Sequence, residues 1–180
     1  QSLFKLHPEF DALIAGILRR DPHGVVTLNE YGAPGAQAWR GVLEKRFNRV
    51  IPDVADRIRF LPRLDYNDYL SLNLVAEALL DTTPFNGGNT SLKALALGVP
   101  IVTLPTSLLR GRLTLGLYRR MGMLDCVARD ANDYIDIAVR LGTDTRFRRA
   151  IHLKILATQG VLFDNLEPVR CESLGIHLTS

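Results

Sequence analysis

The chain has 180 residues, 47% of them apolar and 23% charged, with a formal net charge of +3. This is about the size of one domain, and the composition is ordinary for a soluble globular protein. The arginines are scattered over several segments, which argues against the dense basic face of a nucleic-acid binder and reads as helix surface plus a phosphate pocket. Two cysteines, Cys126 and Cys171, are too few and too far apart for a disulfide framework or a zinc site, which points to a reducing, cytoplasmic setting. No stretch approaches the ~18 apolar residues of a membrane span, and none reads as a signal peptide. The chain opens on Gln1 and is read as a fragment of a longer protein.

Helical and extended patterns alternate along the chain. Phe10, Leu13, Ile14, Ile17 and Leu18 fall on one helical face, and Asp21-Pro22 ends that helix. Val25 to Leu28 reads as a strand and Ala36 to Phe47 as a second helix, with Trp39 and Leu43 on one side. Arg57 to Leu61 is extended, and Asp65 caps a helix running to Val75. Ala78 to Leu80 is a buried strand, Thr90 to Leu97 a helix stopped by Gly98, and Ile101 to Leu104 a further strand. A helix over Leu109 to Met121, an extended Cys126-Val127 and a mostly helical remainder from Asp130 complete the chain.

Short apolar strands separated by helices of this length imply repeated βαβ units. The fold class is therefore α/β: a Rossmann-like parallel sheet with helices on both faces. Residues 1–180 are read as a single domain, with about 164–180 as a C-terminal helical extension. Ligands in such folds bind beyond the carboxyl ends of the strands. That directs attention to the loops after Leu28, Leu61, Asp81 and Leu104.

The most informative of these is Asp81-Thr-Thr-Pro-Phe-Asn-Gly-Gly-Asn-Thr-Ser91. It leaves a strand, passes Gly87 and Gly88, and enters a helix that Asn89 or Thr90 can cap. First-turn N–H groups have no partner within a helix, so an anion placed there gains hydrogen bonds and the positive helix end. A diphosphate suits the site; the same pattern also serves as a tight strand-to-helix connection. It lacks the Gly-Lys-Ser/Thr of a P-loop and the Gly-x-Gly-x-x-Gly of a dinucleotide site.

This loop, with Ala94-Leu-Ala-Leu-Gly-Val-Pro-Ile-Val-Thr-Leu-Pro105 after it and Arg57-Ile-Arg-Phe-Leu-Pro-Arg63 before it, resembles the donor-site signature of the O-GlcNAc transferase/SPINDLY glycosyltransferases. Met121-Gly-Met-Leu-Asp-Cys-Val-Ala128 and Asp133-Tyr-Ile-Asp-Ile-Ala-Val-Arg-Leu-Gly-Thr-Asp144 extend the likeness. The opening Gln1-Ser-Leu-Phe-Lys5 is similar to the segment holding that family's phosphate-binding lysine. The resemblance runs from Gln1 to about Phe163. It implies the second, nucleotide-binding half of a GT-B fold, with a tetratricopeptide-repeat (TPR) region and a first catalytic half elsewhere in the protein.

The resemblance also assigns roles. Lys5 is the catalytic candidate, contacting the donor phosphates and stabilising the leaving nucleoside diphosphate; without the likeness it reads as a solvated lysine. Gly87, Gly88, Asn89, Thr90 and Ser91 hold the diphosphate, a role compatible with plain helix capping. Arg63, Leu64 and Tyr69 fall in the segment that holds the base, with Tyr69 placed to stack and Leu64 to offer a backbone contact. Tyr69 also suits a core position, and Arg63 a surface one. Arg112, in Leu108-Leu-Arg-Gly-Arg-Leu113, is a candidate to touch phosphate or to form a structural ion pair.

At Lys93-Ala94 the sequence departs from the family, which often has an acidic residue at one of these positions to grip the ribose. His7, His23, His152 and His177 lack metal-ligand spacing, and no metal or cofactor is expected. The implied function is the donor half of an inverting, metal-independent glycosyltransferase moving GlcNAc from UDP-GlcNAc to protein Ser/Thr hydroxyls. The alternatives are the same fold using GDP-fucose or UDP-glucose, and a non-catalytic scaffold or protein-binding domain. The implied partners are the nucleotide sugar, a protein acceptor, and the other catalytic half with its repeats; neither nucleic acid nor membrane is expected.

Overall fold

A computed structural model describes residues 3–30 and 36–163. The proposed extension over 164–180 lies outside the described residues.

Helix α1, Glu9–Arg20, buries Phe10, Leu13, Ile14, Ile17 and Leu18, the apolar stripe read from the sequence. It packs on α6, Ala131–Thr143, where the Phe10 and Tyr134 rings meet edge to face at 6.1 Å. Strand β1, Val26–Asn29, follows. Helix α2, Ala36–Val50, runs past the expected end at Phe47 and carries the chain to β2, Ile58–Leu61. β1 and β2 pair in parallel with Val26 opposite Ile58.

Helix α3, Tyr66–Val75, starts where expected, because the Asp65 side chain accepts the Asp68 N–H at 2.8 Å. Strand β3, Leu79–Leu80, leads through the glycine loop into α4, Asn89–Ala96. Gly98 stops α4 at a φ of +74°, a conformation glycine adopts freely. Strand β4, Ile101–Val102, pairs in parallel with β3. It is shorter than the expected run to Leu104, because Thr103 turns to a bridge with Val127.

The single helix expected over Leu109 to Met121 is divided. A 3-10 turn, Leu109–Gly111, precedes α5, Leu113–Arg120. The break follows from loop closure: Thr106 N–H donates to the Gly111 carbonyl at 3.0 Å, and a Cβ on Gly111 would come 2.9 Å from the Pro84 carbonyl oxygen. Helices α7, Thr145–Thr158, and α8, Gly160–Phe163, follow α6.

The parallel α/β expectation holds, but the sheet is not continuous. Among the described residues it consists of two two-stranded pieces, β1–β2 and β3–β4. A slot of about 420 Å³ separates them. The residues of β1 and β3 line it together with Phe10, Ile17 and Leu18 of α1 and Leu72 and Val75 of α3. The other edge of β4 is closed by a side chain. The Tyr118 hydroxyl accepts the Ile101 N–H at 2.9 Å and donates to the Ile101 carbonyl at 3.0 Å.

Candidate nucleotide-binding cleft

The carboxyl ends of β1, β2 and β3 converge on a cleft of about 730 Å³. Its walls are Lys5, Asn29, the stretch Arg63 to Tyr66, Tyr69, and Gly88, Asn89, Thr90 and Lys93. Of the residues singled out in the sequence, it joins Lys5, Arg63, Leu64, Tyr69, Gly88, Asn89 and Thr90. These come from three separate segments of the chain, and Asn29 adds a fourth.

The glycine loop is shaped from below by Asp81, buried at the end of β3. Its carboxylate accepts the Gly87 N–H at 2.8 Å and the Thr103 hydroxyl at 2.9 Å. Burial pushes its pKa up, against hydrogen bonds from Thr114, Gly87 and Thr103 and the charge of Lys5. Asn86, fully buried, donates its side-chain amide to the Thr82 carbonyl at 3.1 Å and its backbone N–H to the Arg110 carbonyl at 2.8 Å. The loop is thus pinned on both sides before it reaches α4.

The helix start differs from the expected cap. Gly88 is the N-cap, and no side chain caps α4. Ser91 N–H and Leu92 N–H donate to the Gly88 carbonyl at 3.0 and 3.1 Å. The N–H groups of Asn89 and Thr90, the first two residues of the helix, have no acceptor within it, and both residues line the cleft.

Three candidates lie apart from the cleft wall. Gly87 is buried, its N–H spent on Asp81. The Ser91 hydroxyl is buried against that of Thr114 at 3.1 Å, and its N–H is also engaged; it supports the helix start from behind. Arg112 is exposed at the head of α5 and does not line the cleft.

Lys5 stands in a 3-10 turn, Leu3–Lys5, with its ammonium 4.0 Å from the centroid of the Phe85 ring. Burial lowers its pKa, and the Asp81 carboxylate opposes that shift. The turn is anchored by Arg46, which donates to the Leu6 carbonyl at 3.0 Å and to the buried Asp11 carboxylate at 2.8 Å. Desolvation raises the Asp11 pKa against the pull of Arg46.

Residues not singled out in the sequence also shape the site. Asn29, at the end of β1, is 9% exposed, and among the described residues both atoms of its side-chain amide lack a partner. Tyr66 forms part of the wall beneath Lys93, whose ammonium lies 4.6 Å from the ring centroid. Asp81, Thr103 and Thr114 hold the loop. Asn29 alone carried a readable signal, a polar residue closing an apolar strand at the ligand edge.

Parallel α/β domains commonly hold anionic ligands at such an edge, where a lysine and a helix start line one cleft. The family model described as glycosyl transferase family 41 matches residues 1–167, and the chain belongs to that family. It is 28% identical over 90% of its length to a UDP-N-acetylglucosamine--peptide N-acetylglucosaminyltransferase of Caenorhabditis elegans, of which it spans 14%. To a probable enzyme of that name, SPINDLY, from Petunia hybrida it is 26% identical over 79% of its length, spanning 15% of the relative. A solved mutant of the Thermobaculum terrenum O-GlcNAc transferase superposes with a TM-score of 0.80 at 29% identity, covering 95% of this chain and 33% of that one. The α/β domain is accordingly the second half of a GT-B fold.

Proposed function

We propose that this chain is the donor-binding half of a glycosyltransferase that moves a sugar, GlcNAc from UDP-GlcNAc, to Ser or Thr hydroxyls of proteins. The observation that carries this reading is the meeting of Lys5 with the helix start at Asn89 and Thr90 in one cleft. As the glycosidic bond breaks, negative charge grows on the departing diphosphate. A lysine and fixed helix-start N–H groups stabilise that charge more than the ground state, which lowers the barrier without a metal ion. Inversion at the anomeric carbon then follows from direct attack by the acceptor hydroxyl.

Tyr69, which lines the cleft, stacks on the base in this reading, and Leu64 offers it a backbone contact. The acceptor and the group that takes its proton come from the other half of the enzyme, which with its repeats stands in the cytosol. This chain alone binds donor and turns nothing over.

Calorimetric titration with UDP, GDP and UDP-GlcNAc, repeated on Lys5→Ala and Thr90→Ala, tests the reading. Selective UDP binding that both substitutions weaken is expected. Preference for GDP would move the donor to GDP-fucose. Absence of binding to all three in this chain and in the intact protein would leave a scaffold and overturn the proposal.

A further inference from the structure

We propose that Lys93 is a second anion-gripping residue of the cleft, acting with Lys5 on the diphosphate of a nucleotide or nucleotide sugar. The inference rests on the reading of the cleft as a nucleotide-sugar site and deepens it. Helical neighbours four apart share a face, and helical side chains slant toward the N-terminus of their helix. Lys93 therefore shares a face of α4 with Asn89, and Asn89, Thr90 and Lys93 line the same cleft.

Lys93 belongs to the last turn of α4, and its ammonium lies at the cleft wall over the Tyr66 ring, 4.6 Å from the centroid. Among the described residues no carboxylate pairs with Lys93. The single acidic residue of the cleft wall, Asp65, already accepts the Asp68 N–H as the cap of α3. Lys5, Arg63 and Lys93 thus face that one engaged carboxylate. A bound diphosphate would give Lys93 the anionic partner that this wall does not supply.

A second observation supports a polar ligand in the cleft. Asn29 lines it with a buried side-chain amide whose oxygen and nitrogen have no partner among the described residues, a state that costs free energy unless a ligand supplies the hydrogen bonds. The position at which an acidic residue was expected is therefore re-equipped with a cation.

Calorimetry with inorganic pyrophosphate, UDP and uridine separates the grip on the anion from the grip on the base. The unsubstituted chain is expected to bind pyrophosphate and UDP. Lys93→Met should weaken both by about tenfold or more, the worth of a charge-assisted hydrogen bond, and leave uridine unaffected. Lys93→Arg should restore the anion affinity, which a merely structural role would not require. Equal pyrophosphate affinity of the Lys93→Met protein and its parent, with unchanged circular dichroism, overturns the inference and leaves the nucleotide site standing. Failure of both this chain and the intact protein to bind UDP and pyrophosphate overturns both.

Discussion

The carboxylate of Asp81 accepts the N–H of Gly87 at 2.8 Å and so folds the glycine loop back on the strand it came from. Removing that acceptor with Asp81→Ala strands the Gly87 N–H and the Thr103 hydroxyl in a buried place. The expected cost is about 1–3 kcal/mol per group left unsatisfied, read from the urea midpoint. UDP affinity should fall with it, because the loop presents Asn89 and Thr90.

The isosteric Asp81→Asn separates charge from shape. Burial raises the folded-state pKa of Asp81. For a carboxyl so shifted the folded state binds more protons than the unfolded, so its contribution is most favourable below the unfolded pKa and declines as pH rises through the folded one. Asparagine has no such decline. The asparagine variant should therefore gain stability relative to its parent as pH rises above the ordinary carboxyl range, measured by paired denaturant titrations.

Arg46 ties the Lys5 turn to the fold through Leu6 and Asp11. Arg46→Met leaves the Asp11 carboxylate buried without its partner, at an expected cost of about 3 kcal/mol. Arg46→Met combined with Asp11→Leu should recover most of that stability. Neither protein regains the bond to the Leu6 carbonyl, so nucleotide affinity should stay reduced in both, which separates global stability from the placement of Lys5.

Tyr118 closes the free edge of β4 through both backbone groups of Ile101. Tyr118→Phe keeps the packing and orphans those two groups. A loss of about 1–3 kcal/mol in a denaturant titration is expected, with faster amide exchange at Ile101.

Tyr69 lines the cleft in the segment after β2. If it stacks on the base, Tyr69→Ala should weaken UDP by about 1–3 kcal/mol and leave pyrophosphate unchanged. That is the mirror image of the Lys93→Met result, and calorimetry with the same ligands reads it.

Local rules carried much of this architecture in the sequence. The Asp65 cap, the apolar stripe of α1 and the stop at Gly98 each need only neighbouring residues to be read. The glycine loop was legible for the same reason. Its support was not: Thr103 stands 22 residues from the Asp81 it contacts, and no periodicity links the two. Ser91 could have been placed better from helical geometry, since a residue two positions after Asn89 points to the opposite side of the helix. Arg112 required the fold, because the closure of the preceding loop sets it apart from the cleft.

The gap between the β1–β2 and β3–β4 pieces has a mechanical consequence. Asn29, Arg63, Leu64 and Tyr69 stand on one piece or just beyond it, while Gly88, Asn89, Thr90 and Lys93 follow the other. No backbone ladder spans the two among the described residues. Their spacing is set by side chains, chiefly where α1 meets α6. The jaws of the cleft are hinged on oil rather than riveted by amides, and a nucleotide lying across them would serve as the crossbar that sets their separation.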